Sequence, residues 1–240
     1  IEAAAQQRTL AYDRAGDGHF DTVSAFIKSL RGNDPDAALH WLAAMIAAGE
    51  DPRFICRRLI IAASEDVGNA DPRALQIAVA AAQALDWVGL PEGQYALAQA
   101  TVQVATAPKS DSIGRAYLAA LADVLQRGSL PVPNHLRSAG DRRLKAHGIG
   151  VGYRMPHDFE GDDLAQSYLP DELGERRYYV PGDQGYEPTI AARMAAREAA
   201  RREPPRRKGR PSSPMASMGD GLRAHVEERK RIAEREKREG

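Results

Sequence analysis

The chain has 240 residues and a formal net charge of zero, a length that suffices for one sizeable hydrophobic core with an appendage. Its single cysteine, Cys56, excludes an internal disulfide and favours a reduced, intracellular protein. Since no uncharged apolar run reaches the roughly 18 residues that a bilayer requires, we expect no membrane-spanning helix. The chain begins IEAAAQQRTL, without an initiator methionine or a hydrophobic signal segment, and we expect it to be part of a longer protein.

Helix start and stop signals dominate the first half of the chain. Asp34, Asp51 and Asp71 each precede a proline and an apolar segment, and we predict all three as structural caps. The reason is that an Asp carboxylate accepts hydrogen bonds from free N–H groups of the first turn, while Pro at the first helical position loses no hydrogen bond. The pattern predicts an all-α protein, a compact helical bundle. In chain order, the expected helices cover residues 19–30, 35–48, 52–67, 72–88, 91–107 and 110–127.

The stretch SEDVGNADPRAL, residues 64–75, brings acidic and amide side chains together in apolar surroundings. A catalytic or metal-binding cluster is one interpretation, and a connector between two helices is the other. We favour the connector, because Glu65 and Asp66 end one predicted helix, Gly68 interrupts it and Asp71 caps the next. In addition, no His or Cys stands at ligand spacing nearby.

The segments ALQIAVAAAQALDWV and YALAQATVQVATA carry almost no charge on any face. Helices that are apolar all round are buried, either in a core or against another subunit. We expect self-association through residues 72–107. The candidate interface residues are Ala80, Ala81, Ala98 and Val102.

From about residue 129 the sequence becomes rich in Pro and Gly. We expect residues 16–128 to form the helical domain and 129–190 a loop-rich coat in which tyrosines pack onto the body, with a further helix at about 188–202. Residues 191–240 are expected to form a basic, largely disordered tail. The tyrosines in question are Tyr153, Tyr168, Tyr178 and Tyr179.

Charge is unevenly distributed, which points to a charged partner for the tail. Residues 191–240 hold 15 Lys and Arg and 8 acidic residues, so the rest of the chain is acidic. The stretch 193–210 either contacts phosphates, in a salt-sensitive way, or is a solvated tail without a partner. The candidate DNA-binding residues are Arg201, Arg202, Arg206, Arg207, Lys208 and Arg210. For the basic residues near the early helices we expect pairing with acidic caps; these are Lys28, Arg31, Arg57 and Arg58.

Catalytic and cofactor motifs are absent from the sequence. There is no G-x-x-x-x-G-K-[ST] loop to hold phosphates, and GIGVG at 148–152 follows no strand-like run. The six histidines do not stand at metal-ligand spacing, and Cys56 lies in an apolar helix where a packing role is expected. We therefore predict no catalytic, nucleotide-binding or metal-binding residue in this chain.

Ordered blocks over about residues 1–195 resemble the C-terminal region of the replication-associated recombination protein A family of AAA+ ATPases, whose eukaryotic relative is the Werner helicase-interacting protein. These blocks are YDRAGDGHFDTVSAFIKSLRGNDPDAALHWLAAMIAAGEDPRFICRRLIIAASEDVGNADPRAL, APKSDS, VPNHLR, PHDF, YLPDEL and RRYYVPGDQGYE. The resemblance implies that residues 1–15 are the end of the AAA+ lid. It also implies that the following domain is a clamp-loader collar-like oligomerisation domain forming a homotetramer.

The same resemblance implies a parent ATPase that acts on DNA at stalled forks and single-strand ends in the cytoplasm, associated with the nucleoid. ATP and Mg²⁺ would be held by an AAA+ core that this chain lacks. Two alternatives stay open. One is a monomeric helical module that docks a replication protein such as single-strand binding protein, and the other is an enzyme with a carboxylate site at residues 64–71.

Overall fold

The all-α fold expected from the sequence is confirmed by a computed structural model, which describes residues 17–138, 142–209 and 225. No strand occurs among these residues, apart from an isolated bridge between Phe159 and Arg207. The α-helices are α1 (Asp17–Arg31), α2 (Pro35–Ala47), α3 (Pro52–Ala62), α4 (Arg73–Val88), α5 (Gln94–Thr106), α6 (Ser112–Arg127), α7 (Arg142–Ala146) and α8 (Glu187–Arg201). Each expected helix is present with its ends within three residues of the expected positions, if the π-helical turn Ala63–Val67 is counted with α3.

Local capping chemistry accounts for the starts of three helices. Asp34 accepts a hydrogen bond from the backbone N–H of Ala37 at 2.9 Å, and Asp51 accepts one from that of Arg53 at 2.9 Å. Asp71 accepts one from the N–H of Arg73 at 3.1 Å, the residue at which α4 begins. Each carboxylate thus takes up an N–H group that the helix itself leaves free.

The described residues fall into two compact units. Unit 1 contains residues 17–130 and 175–194, and unit 2 contains residues 131–174 and 195–209 together with residue 225. The expected domain boundaries at residues 15, 128 and 190 stay predictions.

The hydrophobic core of unit 1 lies among α1 to α5. Phe26 and Leu30 from α1 meet Met45 from α2, Leu59 from α3 and Leu97 from α5, all of them fully or almost fully buried. Helices α4 and α5 contribute mainly small residues, which allow the two helix backbones to approach closely. The buried members of these two helices are Ala74, Ala78, Ala81, Leu85, Leu97, Ala100, Thr101, Val104 and Ala105.

Short turns replace long helices in unit 2, because Pro and Gly interrupt the chain every few residues. The 3₁₀ turns Asn134–Leu136, Pro156–Asp158 and Asp171–Leu173 each begin at or directly after a proline. Phe159 and Leu164 are the buried apolar side chains of this part of the chain. Unit 2 is therefore rich in loops and short turns.

Candidate functional site

The acidic stretch at residues 64–71 pairs with cations and does not converge on a common point. The Nε of Arg31 donates to Asp66 Oδ1 at 2.6 Å, while Asp71 accepts from the Arg73 guanidinium at 2.9 Å and from the Gln103 amide at 3.1 Å. The hydrogen bond from Arg73 is the main reason that the pKa of Asp71 lies below its ordinary value, and it outweighs the opposing effect of burial. This arrangement matches a connector between helices better than an acid–base or metal site.

Among residues 17–138, 142–209 and 225, no three His, Cys, Asp or Glu side chains lie close enough to hold a metal ion. Cys56 is buried in α3, where removal from water raises the pKa of its thiol. A thiol in this environment packs as a small apolar group. No helix in the described part of the chain is long and apolar enough to cross a bilayer.

Glu187, at the first position of α8, is fully buried. It accepts hydrogen bonds from the hydroxyls of Ser110 and Ser112, from the hydroxyl of Tyr179 and from the backbone N–H of Gly182. Burial acts to raise the pKa of Glu187, but the hydrogen bonds together outweigh it and hold the pKa below its ordinary value.

A second carboxylate, Asp123 of α6, anchors the beginning of the segment whose end is anchored by Glu187. It accepts from Arg176 Nε at 2.8 Å and from the Tyr178 hydroxyl at 2.9 Å. We call residues 176–187 the strap. A third contact also holds the strap: the N–H of Tyr186 donates to the carbonyl of Ala70 at 2.8 Å.

Neither Glu187 nor Asp123 was predicted as a functional residue from the sequence. The signals were weak: a Glu before a Pro at the start of a helix, and an Asp within an otherwise apolar helix. Two of the four tyrosines expected to pack onto the body, Tyr178 and Tyr179, do so through hydroxyl hydrogen bonds in unit 1. Tyr153 and Tyr168 are exposed instead.

The four candidate interface residues occupy different environments. Ala81 is buried in the core of unit 1, Ala98 is half-buried against that core, and Ala80 and Val102 are exposed. Helices α4 and α5 are therefore not buried all round, because each turns one face to the core and leaves the other open. The small side chain of Ala81 is explained by packing within the chain itself, while the exposed positions remain available to a partner.

Another apolar surface lies on α6 and was not predicted from the sequence. Its exposed side chains are Ile113, Tyr117, Leu118, Val124 and Leu125, and Leu125 is 76% exposed. The spacing of these residues follows one side of a helix, which was visible in SIGRAYLAALADVLQR. We call this surface the α6 face.

Most of the candidate DNA-binding residues that the structure describes are already engaged with acidic or aromatic groups of unit 2. Arg201 pairs with Asp163 at 2.8 Å and Lys208 with Asp162 at 2.5 Å. In addition, Arg202 pairs with Glu198, the guanidinium of Arg207 lies over the Phe159 ring, and the carbonyl of Arg206 accepts from the N–H of Glu160. Arg210 lies outside the described residues. Near the early helices, Arg31 pairs with Asp66 as expected, and Arg57 lies 4.0 Å from Asp51.

Comparison with known proteins identifies the family. The family described as MgsA AAA+ ATPase C terminal matches residues 32–198, and the family described as AAA C-terminal domain matches residues 1–31. The chain is 51% identical over 194 residues to an uncharacterized AAA domain-containing protein of Mycobacterium tuberculosis, covering 81% of this chain and 43% of that protein.

Two further relatives carry more informative names. Replication-associated recombination protein A of Escherichia coli is 46% identical over 192 residues, covering 80% of this chain and 43% of the relative. ATPase WRNIP1 of Dictyostelium discoideum is 37% identical over 175 residues, covering 72% of this chain and 20% of the relative. The chain thus spans less than half the length of these relatives. From the match over residues 32–198, the chain belongs to the MgsA AAA+ ATPase C-terminal family.

Proposed function

We propose that this chain is the C-terminal oligomerisation domain of a DNA-dependent AAA+ ATPase that acts in replication-fork maintenance and in recombination and repair. The family match supports the AAA+ parent, and the name of the E. coli relative supports replication-associated recombination. ATP and Mg²⁺ would bind outside this chain, because its sequence has no P-loop to hold phosphates and metal.

The observation that carries the proposal is the α6 face. A surface helix normally turns its apolar side chains toward the core. In α6 the buried positions are instead Ser112 and Asp123, which bond to the strap, while Tyr117, Leu118 and Leu125 are exposed. Contiguous exposed apolar side chains of this kind mark a surface that binds another protein.

A second apolar surface lies on α4 and α5. Trp87 is 90% exposed and Tyr95 is 71% exposed, and Leu75 and Val79 are also open to solvent. Exposed Trp and Tyr are the residue types that contribute most to protein–protein affinity. Because this surface differs from the α6 face, one copy can contact two neighbours, which supports assembly beyond a dimer into the homotetramer that the resemblance implies.

Light scattering on the purified chain tests the proposal. We expect a mass of about four times the 26.1 kDa of one chain. The double variant Leu118→Glu/Leu125→Glu should lower that mass, since an unpaired charge buried in an interface costs several kcal/mol. Gln126→Glu adds a charge to the same helix at an exposed polar position and should leave the mass unchanged.

A wild-type mass of 26.1 kDa at every concentration would contradict self-association. The exposed faces would then support the alternative, a monomeric module that docks a replication protein such as single-strand binding protein. Titration of the chain with that protein, again comparing Leu118→Glu/Leu125→Glu with Gln126→Glu, would test it.

A further inference from the structure

Unit 2 contains a second basic segment, residues 134–154, that differs from the basic stretch at 193–210. Between residues 134 and 154 the sequence has Arg137, Arg142, Arg143, Lys145 and Arg154, and a single acidic residue, Asp141. Of these, Asp141 lies outside the described residues.

Hydrogen bonds join three segments of unit 2 into one surface. The N–H of Gly150 donates to the carbonyl of Asn134 at 2.7 Å, and a ring nitrogen of His135 lies 2.8 Å from the carbonyl of Ser167. The N–H of Arg154 donates to the side chain of Gln166 at 2.9 Å. We call this surface, formed by residues 134–137, 144–154 and 165–168, the platform.

Two tyrosines of the platform are exposed. Tyr153 is 43% exposed and Tyr168 is 46% exposed, and the Tyr168 hydroxyl accepts from Gln166. Tyr153 directly precedes Arg154, whose guanidinium donates to the carbonyl of Ala165. Hydrogen bonds from Arg154 to Gln166 and Ala165 thus join the segment that carries Tyr153 to the segment that carries Tyr168.

The cationic side chains of the platform differ from those of the 193–210 stretch in their carboxylate partners. Within the part of the chain that the structure describes, no carboxylate pairs with Arg137 or Lys145, and both side chains are exposed. Arg201, Arg202 and Lys208 each have a carboxylate partner by contrast. Arg137, which donates to the side-chain oxygen of Asn134 at 3.2 Å, and Lys145 can each contact a phosphate without giving up an ion pair.

We propose that the platform binds single-stranded nucleic acid, with Arg137 and Lys145 contacting phosphates and the rings of Tyr153 and Tyr168 stacking on bases. Basic grooves combined with exposed aromatic rings are the physical requirements for binding single strands without sequence preference. A duplex major groove is read by an inserted helix or ribbon. Among the described residues of the platform region, the longest helix is α7, whose five residues are too few for that role.

This inference does not depend on self-association, because every group it uses lies in one copy of unit 2. Failure of the oligomerisation proposal is detected by the mass of the chain in solution, and failure of this one is detected by its affinity for an oligonucleotide. The two results are therefore distinguishable.

The experiment measures fluorescence anisotropy of a labelled oligo(dT) of about 16 nucleotides, titrated with the chain at two salt concentrations. Tyr153→Ala/Tyr168→Ala should weaken binding at least about fivefold for each stacked ring. The matched control Tyr153→Phe/Tyr168→Phe keeps both rings and should bind as the wild type does. Arg137→Ala/Lys145→Ala should weaken binding and reduce the slope of log K against log salt by about 0.7 for each lost phosphate contact.

The comparison variant Arg202→Ala/Lys208→Ala removes the same charge from the 193–210 stretch and should have a smaller effect. Melting curves of all variants verify that they remain folded. The proposal is wrong if wild type does not bind the oligonucleotide, or if the tyrosine pair can be replaced by alanine without loss. It is also wrong if Arg202→Ala/Lys208→Ala abolishes binding while Arg137→Ala/Lys145→Ala does not, since the DNA site would then lie in the 193–210 stretch.

Discussion

The Glu187 carboxylate accepts a hydrogen bond from the hydroxyl of Ser110, 2.7 Å away and 77 residues earlier in the chain. The same carboxylate accepts from Ser112, at the start of α6, so the beginnings of α6 and α8 share one anion. Because negative charge is favourable near the N-terminus of a helix, the position suits both helices. Together with the hydrogen bonds to Asp123 and to the carbonyl of Ala70, this contact holds the strap in place within unit 1.

Removal of the Glu187 carboxylate should strongly destabilise unit 1. Glu187→Ala leaves buried hydroxyls and the N–H of Gly182 without their acceptor, and we expect a loss of about 3 kcal/mol or more. Urea denaturation measures it. Glu198→Ala, an exposed position on the same helix, should change stability by no more than about 0.5 kcal/mol. Equal effects of the two substitutions would show that the buried hydrogen bonds do not stabilise the fold.

Glu187 and Asp71 should make the free energy of unfolding decrease at acidic pH. Both have pKa values held below their ordinary values of 4.5 and 3.8, so folding favours the deprotonated forms. Their contribution is therefore fully present above those ordinary values, and it is lost as pH falls through the lower pKa of the folded state. Denaturation midpoints measured from pH 7 downward should show the decline below about pH 4.5. The variant Glu187→Gln should show a weaker pH dependence than wild type.

Asp71→Ala should lower the free energy of unfolding by more than the loss of an ordinary helix cap does. Asp71 is buried and accepts from Arg73 and Gln103 as well as capping α4, whereas Asp34 caps α2 at an exposed site. We expect about 1 kcal/mol for Asp34→Ala and a larger loss for Asp71→Ala. Thermal or urea melts of both variants provide the comparison. A smaller loss for Asp71→Ala than for Asp34→Ala would contradict the structure around residue 71.

Adjacent alanines of α4 should respond differently to the same substitution. Ala81→Glu places a charge in the core of unit 1 and should unfold the protein. Ala80→Glu places it on the exposed face, so the fold should persist and only self-association should weaken. Circular dichroism reports the first effect and light scattering the second. Wild-type melting of Ala81→Glu would mean that α4 is rotated relative to the structure.

The isolated chain should neither bind nor hydrolyse ATP. No P-loop occurs in the sequence, so nothing is available to hold the β- and γ-phosphates with Mg²⁺. Isothermal calorimetry with Mg-ATP should give no stoichiometric heat. Binding near one equivalent per chain would overturn the assignment of the nucleotide site to the parent protein.

The helices were predictable because their start signals are local. Asp34 and Asp51 act on N–H groups two or three residues away, and such short-range chemistry can be recognised in a sequence. The burial of Ala81 and the exposure of Ala80 were not predictable, because nearly uncharged helices give no polar face to orient them. Composition therefore predicted that α4 is a helix but not which side of it meets the core.

The contacts that anchor the strap could not be predicted from the sequence, for a different reason. Glu187 and Ser110 are connected only through the folded chain, and neither is unusual in its local setting. The α6 face was detectable as an apolar pattern. What could not be deduced was that this pattern remains uncovered, since that depends on where every other element packs.

The strap also determines the shortest piece of the protein that should fold by itself. The last long helix of the body, α6, ends at Arg127, which suggests that a truncation near residue 130 would be harmless. Such a fragment lacks Arg176, Tyr178 and Glu187. The buried Asp123 would keep Arg127 at 3.9 Å but lose its two donors from the strap, and the buried Ser112 would lose its acceptor. An autonomous fragment must therefore extend at least through the first turns of α8, and the C-terminal limit of the folding unit lies some sixty residues beyond the end of its helical core.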